Sequence, residues 1–203
     1  AGPTKPAVAP RRPDRIAIGV LTRTFPPELV DRVIARTGRG EQRQRLLPAR
    51  VVVYYTLAMC LFTRVGYEEV MELLVEGLAW ARRWRGSWQV PDKSSIARAR
   101  ARLGPTPLRA LFVEVARPLA TRKTIGAWYR GCRLVALDGT TLDVPDTPAN
   151  TEAFGRPTGG RGQGAFPQVR LVGLVECGTH AVVDAVVDAA MGGLHLGEGS
   201  LAP

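Results

Sequence analysis

The hydrophobic period changes near Gly131, and that change limits the possible folds more than anything else in the chain. Upstream, apolar residues recur every three or four positions. Downstream, they form short β-branched runs broken by glycine and proline. A helix face repeats at about 3.6 residues and a strand face at about 2, so one kind of element cannot serve both halves. The pattern predicts an α+β chain, with an N-terminal all-α helical domain followed by a three-stranded β-sheet.

Pro26-Pro27 can open a helix, because proline lacks an N–H that the first turn does not need. Leu29, Val30, Val33 and Ile34 then share a face, and Gly38 is the stop. Pro48 opens a second helix through Leu61. It is apolar nearly all round and is therefore expected at the centre. Gly66 ends that run. Tyr67, Val70, Met71, Leu74 and Leu78 form a third stripe, and Trp80, Trp84 and Trp88 follow as core or helix-edge positions. Past Pro107, the stripe of a further helix is Leu108, Leu111, Phe112, Val115 and Leu119.

Charge divides the chain at almost the same place. The 203 residues hold 28 Lys+Arg and 18 Asp+Glu, a formal charge of +10. Residues 1–130 carry a net +14 and residues 131–203 a net −4. Clustered arginine neutralises phosphate and releases its counterions. An arginine-rich solvated surface produces the same composition. Three widely spaced cysteines, Cys60, Cys132 and Cys177, give no disulfide framework and no zinc-ligand spacing, which fits a reducing, cytoplasmic setting. The longest apolar run, Val51 to Phe62, is shorter than the ~20 residues that a membrane span needs. Residues 1–15 read as a disordered basic Pro-rich arm.

Val90 to Gly104 (VPDKSSIARARARLG) reads as a short capped helix, with Asp92 or Ser94 as N-cap and Gly104 as stop. Ile96, Ala99 and Leu103 fall on one side; Ser94, Ser95, Arg98 and Arg102 fall on the other. Small hydroxyls and free N–H groups at a helix start suit phosphate, and arginines one turn apart reach bases or backbone. Lys93, Ser94, Ser95, Arg98 and Arg102 are therefore the candidate DNA contacts. An ordinary amphipathic helix in water would carry the same residues.

Beyond Gly131, Arg133 to Leu137 is a short strand running into Asp138-Gly139-Thr140-Thr141, and Gln168 to Cys177 and His180 to Ala190 form a hairpin around Gly178-Thr179. A carboxylate at a strand end is held rigidly at a sheet rim. Two or three such groups can hold a pair of magnesium ions ~4 Å apart against a phosphodiester. Asp138 is the candidate, although Asp-Gly is also an ordinary turn dipeptide. The glycines from Gly159 to Gly164 do not have phosphate-loop spacing.

Several segments, in this order, resemble the insertion-element-four type of DDE transposase. They are Leu21–Val30 (LTRTFPPELV), Arg45–Arg50 (RLLPAR), Pro91–Arg100 (PDKSSIARAR) with Arg102–Gly104, and Leu137–Thr147 (LDGTTLDVPDT). Asn150, Phe154–Pro157 (FGRP) and the hairpin from Pro167 continue the match. The resemblance implies a helical DNA-binding domain over residues 16–125 and the start of an RNase H-like DDE catalytic domain over residues 130–203. It also implies double-stranded element-end DNA as partner, with a second transposase protomer as a further one, and a nucleoid-associated bacterial protein. Asp138 takes the place of the first catalytic carboxylate and metal ligand, and magnesium is the cofactor of the complete enzyme.

The chain departs from that pattern after Gly192. The family needs a second Asp on a later strand and a Glu on a later helix. Glu198 comes too early, and Asp143, Asp146, Asp184 and Asp188 do not match. Asp184 and Asp188 are expected on the hairpin's solvent face, and His180 and His195 at turns or on the surface. The expectation is a truncated transposase that keeps one catalytic carboxylate, does not hold magnesium stably and is inactive alone. The alternatives are a truncated DNA-binding repressor of transposition and a decayed remnant without function.

Overall fold

A computed structural model describes residues 12–43, 45–78, 90–159 and 162–189. Trp80, Trp84, Trp88, His195 and Glu198 lie outside the described residues. The architecture is α+β, and the chain divides into two compact units between Val115 and Ala116.

The first unit is all helix: α1 (Arg12–Thr24), α2 (Pro27–Arg36), α3 (Ala49–Leu61), α4 (Tyr67–Gly77), α5 (Lys93–Leu103) and α6 (Thr106–Val115). Pro26 and Pro48 precede α2 and α3, and Gly66 precedes α4, where the periodicity places the starts. Gly38 and Gly104 adopt positive φ after α2 and α5, a conformation that costs a residue with a Cβ. Helix α1 was not legible as a helix. It begins at Arg12, so the last residues assigned to the arm are helical, propagated back from the buried Ile18 and Leu21.

Helix α3 is central and contacts α1, α2, α4 and α5. Val51, Val52, Val53, Tyr54 and Tyr55 are all buried, which accounts for its all-round apolarity. The Tyr54 hydroxyl donates to the Phe25 carbonyl at 2.5 Å, and the Tyr55 hydroxyl donates to the Tyr67 carbonyl at 3.1 Å. Burial pushes both phenols up to about 12, so they stay neutral donors. Arg50 grips Asp31 with two parallel hydrogen bonds, tying α3 to α2.

Helix α6 ends at Val115, before the expected stripe is complete, and Leu119 is exposed. Pro118 accounts for this, since a residue before proline is disfavoured in helical geometry. The boundary therefore falls ten residues before the expected end of the helical domain at residue 125.

The second unit holds a tight hairpin of β1 (Trp128–Tyr129) and β2 (Cys132–Arg133), and then β3 (Val135–Asp143). Helix α7 (Pro148–Phe154), a small hairpin of β4 (Thr158–Gly159) and β5 (Gly162–Gln163), β6 (Gln168–Glu176) and β7 (Val182–Ala189) follow. Strands β3, β6 and β7 form an antiparallel sheet in that order, with β6 central. The three cysteines are free. Among the described residues, no helix is long and apolar enough to cross a membrane.

Glu176, at the end of β6, is fully buried and gathers the surrounding loops. Its Oε2 accepts from the Leu119 and Ala120 backbone N–H groups at 2.9 and 2.7 Å and from the Thr179 hydroxyl at 2.6 Å. Its Oε1 pairs with Arg133. A buried carboxylate with this many donors is the condition under which burying its charge is tolerable.

Candidate nucleic-acid interface and the Asp138 strand

Helix α5 follows the sequence expectation in its packing. Ile96, Ala99 and Leu103 are buried, while Lys93, Ser94, Arg98 and Arg102 are exposed and Ser95 half-buried. Asp92 is the N-cap. Its carboxylate accepts from the Ser95 N–H at 2.7 Å and from the Ser94 hydroxyl at 2.8 Å, and more weakly from the Ser95 hydroxyl at 3.3 Å. The Ser95 N–H, aided by the Ser94 hydroxyl, holds the Asp92 carboxyl below the usual carboxylate range.

This changes the roles open to the two serines. Both hydroxyls donate to Asp92, and an anion already sits at the positive end of the helix dipole. The first turn is thus not the open phosphate site that the sequence suggests. The Arg98 guanidinium donates to the Ser95 hydroxyl at 3.0 Å and extends this polar chain along the helix. The structure brings Ser94, Ser95 and Arg98 together through Asp92; Lys93 begins the helix beside them, and Arg102 lies one turn beyond Arg98.

The loop before α3 supplies cations that the sequence left unassigned. Arg45 and Arg102 line two adjoining hollows, the first also bordered by Arg39 and the second by Ser95 and Arg98. The Arg102 guanidinium donates to the Leu47 carbonyl at 2.9 Å and lies 3.9 Å from Glu41. Arg39 donates to the Arg102 carbonyl at 3.3 Å, next to the α5 terminus. Glu41 in turn accepts from the Ala49 N–H at 3.1 Å and caps α3. Burial pushes the Glu41 carboxyl up, against the pull of that N–H and of Arg102. Four arginines from two separate segments therefore border two hollows that share Arg45, Ala99 and Arg102, and two of the four are held by backbone carbonyls. The only sequence signal for Arg39 and Arg45 is the basic run from Arg39 to Arg50.

Asp138 is not at a strand end. It is the fourth residue of the nine-residue β3, paired with Gly173 across the sheet. Its Oδ1 accepts from the Gly139 N–H at 2.8 Å. Asp-Gly reads locally as a turn, but the ladder to β6 continues unbroken to Asp143. Among the described residues β3 is an edge strand, and every residue in it is exposed.

Register separates the other acids from Asp138. Side chains alternate along a strand, so Asp138, Gly173 and Ala185 share one face. Asp184 stands opposite Leu174, and Asp188 opposite Arg170, on the other face, as does Asp143 in β3 itself. Asp143 accepts from Gln168 at 2.8 Å, and Asp146 pairs with Arg156. Asp184 and Asp188 are half-buried rather than fully solvated. His180 is exposed in the turn between β6 and β7, with φ +58°. Among the described residues, no three His, Cys, Asp or Glu side chains group as metal ligands. The acids of these strands do not by themselves fit a divalent-cation site.

Parts of this sequence are similar to known proteins. Residues 15–113 match the family described as insertion element 4 transposase N-terminal. The chain is 30% identical over 159 residues to the transposase InsG for insertion sequence element IS4 of Escherichia coli (strain K12), covering 78% of this chain and 34% of that protein. It is 26% identical over 163 residues to the putative transposase InsZ of the same organism, covering 80% of this chain and 52% of that protein. The chain thus spans between a third and about half of the length of these relatives. No solved structure matches it.

Proposed function

We propose that the chain is part of an insertion element 4 transposase, whose N-terminal family matches residues 15–113, and that it binds element-end DNA through the α5 face. The observation that carries this reading is the pair of hollows that share Arg45 and Arg102, one bordered also by Arg39 and the other by Arg98. Cations held by backbone carbonyls lose little freedom when they meet phosphate, and each neutralised phosphate releases counterions. Lys93, Ser94 and Ser95 contribute at the rim. The serines do so through the Asp92 network rather than as free phosphate donors.

In this reading the three strands open an RNase H-like DDE catalytic domain, and Asp138 is its first carboxylate. When bound, magnesium would supply charge stabilisation for phosphodiester cleavage and joining. The residues of β3, β6 and β7 bring no second acid to the Asp138 face, so no chemical step is assigned to this chain. Asp138 itself is held in a rigid ladder, with one oxygen fixed by the Gly139 N–H.

The test is fluorescence anisotropy with terminal inverted repeats over a range of salt, beside a cleavage assay with magnesium. The expected result is salt-dependent binding with no nicking. Arg98→Ala with Arg102→Ala is expected to weaken binding about tenfold or more and to lower the salt slope by about 0.9 for each phosphate that is no longer neutralised. Robust nicking by the pure chain would contradict the reading that Asp138 has no second acid on its face. Unchanged binding by the double variant would remove α5 from the interface.

A further inference from the structure

We infer that the β1–β2 hairpin, with the segment leading into it, forms a second nucleic-acid contact surface that grips the DNA backbone. This inference rests on the DNA-binding reading above and extends it to residues that neither the family match nor the candidate set includes. Residues 116–133 carry five cations, Arg117, Arg122, Lys123, Arg130 and Arg133, and no acid. The rest of that unit, residues 134–203, carries three cations and eight acids. Its positive charge is thus concentrated on one short stretch.

The stretch is built as a rigid patch. The Arg122 and Arg133 guanidiniums lie over the Trp128 ring at 4.5 and 4.6 Å from its centroid. The Trp128 indole N–H donates to the Thr121 carbonyl at 2.7 Å, and Arg133 is anchored on the buried Glu176. Arg122 also reaches the Gly131 carbonyl at 3.4 Å. The indole is therefore fixed to the sheet through Arg133 and Glu176, and Arg122 is fixed on the indole.

The hairpin tip is strained. Arg130 has φ +47° and Gly131 φ +83°, the signs that a two-residue type I′ turn requires. Asn, Asp or Gly would adopt this geometry at lower cost. The arginine is exposed and lies over the Tyr129 ring at 5.3 Å, and Tyr129 is itself exposed. Backbone strain of this kind gathers where a side chain must be presented at a fixed place. An exposed guanidinium over an exposed aromatic ring at the tip, with the exposed Lys123 in the segment leading into β1, suits a phosphate backbone with sugar or base contact better than it suits an acidic peptide.

Arg130→Gly tests the tip cleanly, because glycine relieves the positive φ while removing the cation. It is combined with Lys123→Ala in the full chain and titrated against a mixed-sequence duplex of about 30 base pairs over a range of salt. The expected result is an unchanged or higher melting temperature, a salt slope lower by about 1.8, and affinity at ~0.1 M salt reduced by tens of fold. Equal affinity and slope for wild type and double variant, with the α5 double variant weakened in parallel, would overturn this surface and leave the α5 reading intact. Absence of binding by the wild type would overturn both. An equal loss of binding to polyglutamate would reassign the patch to acidic proteins and overturn its nucleic-acid role.

Discussion

The helical unit and the sheet unit bury their apolar residues to very different degrees. In the first, α3 is enclosed by its neighbours, and Leu74 and Ala58 have no exposed surface. In the second, Leu137 is 75% exposed and Val187 60%, while a carboxylate, Glu176, is fully buried. Hydrophobic contact holds the helices together. The sheet unit relies more on ladder hydrogen bonds and one charged hub. Different forces therefore position the two candidate surfaces. The α5 arginines stand on a packed core, whereas the hairpin arginines stand on a polar network.

Substitutions that strike each force in turn put this contrast to the test. Leu74→Ala is expected to cost about 2–5 kcal/mol in denaturant unfolding of the helical unit. A loss below about 1 kcal/mol would contradict the packed core. Glu176→Ala leaves Arg133 and two N–H groups without their carboxylate. Arg133 keeps about a third of its side chain in water, so the loss should be roughly 2 kcal/mol, less than for a fully buried pair. The readout is hydrogen exchange at Leu119 and Ala120, which should accelerate. Gly104→Ala, at φ +69°, should cost about 1 kcal/mol and fray the end of α5, seen as a drop in helical circular dichroism. Leu137→Ala should change stability by less than ~0.5 kcal/mol, because the side chain is already in water. A large loss there would mean that the exposed sheet face is covered in solution.

The smallest effect concerns pH. The folded state lowers the Asp92 carboxyl, so its capping contribution is present above the ordinary carboxylate range near pH ~4 and is lost as pH falls through the folded value. Acid titration of the wild type should show α5 melting that Asp92→Asn lacks. Parallel titration curves would remove the cap from the account.

Much of the helical unit was legible because its signals are local. Pro26, Pro48, Gly66 and Gly104 mark helix ends within a few residues, and the Ile96, Ala99 and Leu103 stripe fixes which side of α5 faces out. Most of the misses share one physical cause, partners far away in sequence. Asp138 reads as the end of a strand because Asp-Gly is a turn dipeptide; only β6, some thirty-five residues on, makes it mid-strand. Glu176 gives no local hint of burial, since all its donors but Thr179 lie 43 to 57 residues upstream. Arg39 and Arg45 join the α5 surface through a loop whose path the basic run does not encode. Leu119 satisfies the helical stripe, and Pro118 overrides it.

The Asp92 cap also limits how a duplex could lie against this protein. A carboxylate fixed at the head of α5 repels any phosphate approaching along the helix axis, while the arginine flank attracts one arriving crosswise. The helix would therefore rest lengthwise along the nucleic acid, like a rail, instead of pointing its tip into a groove.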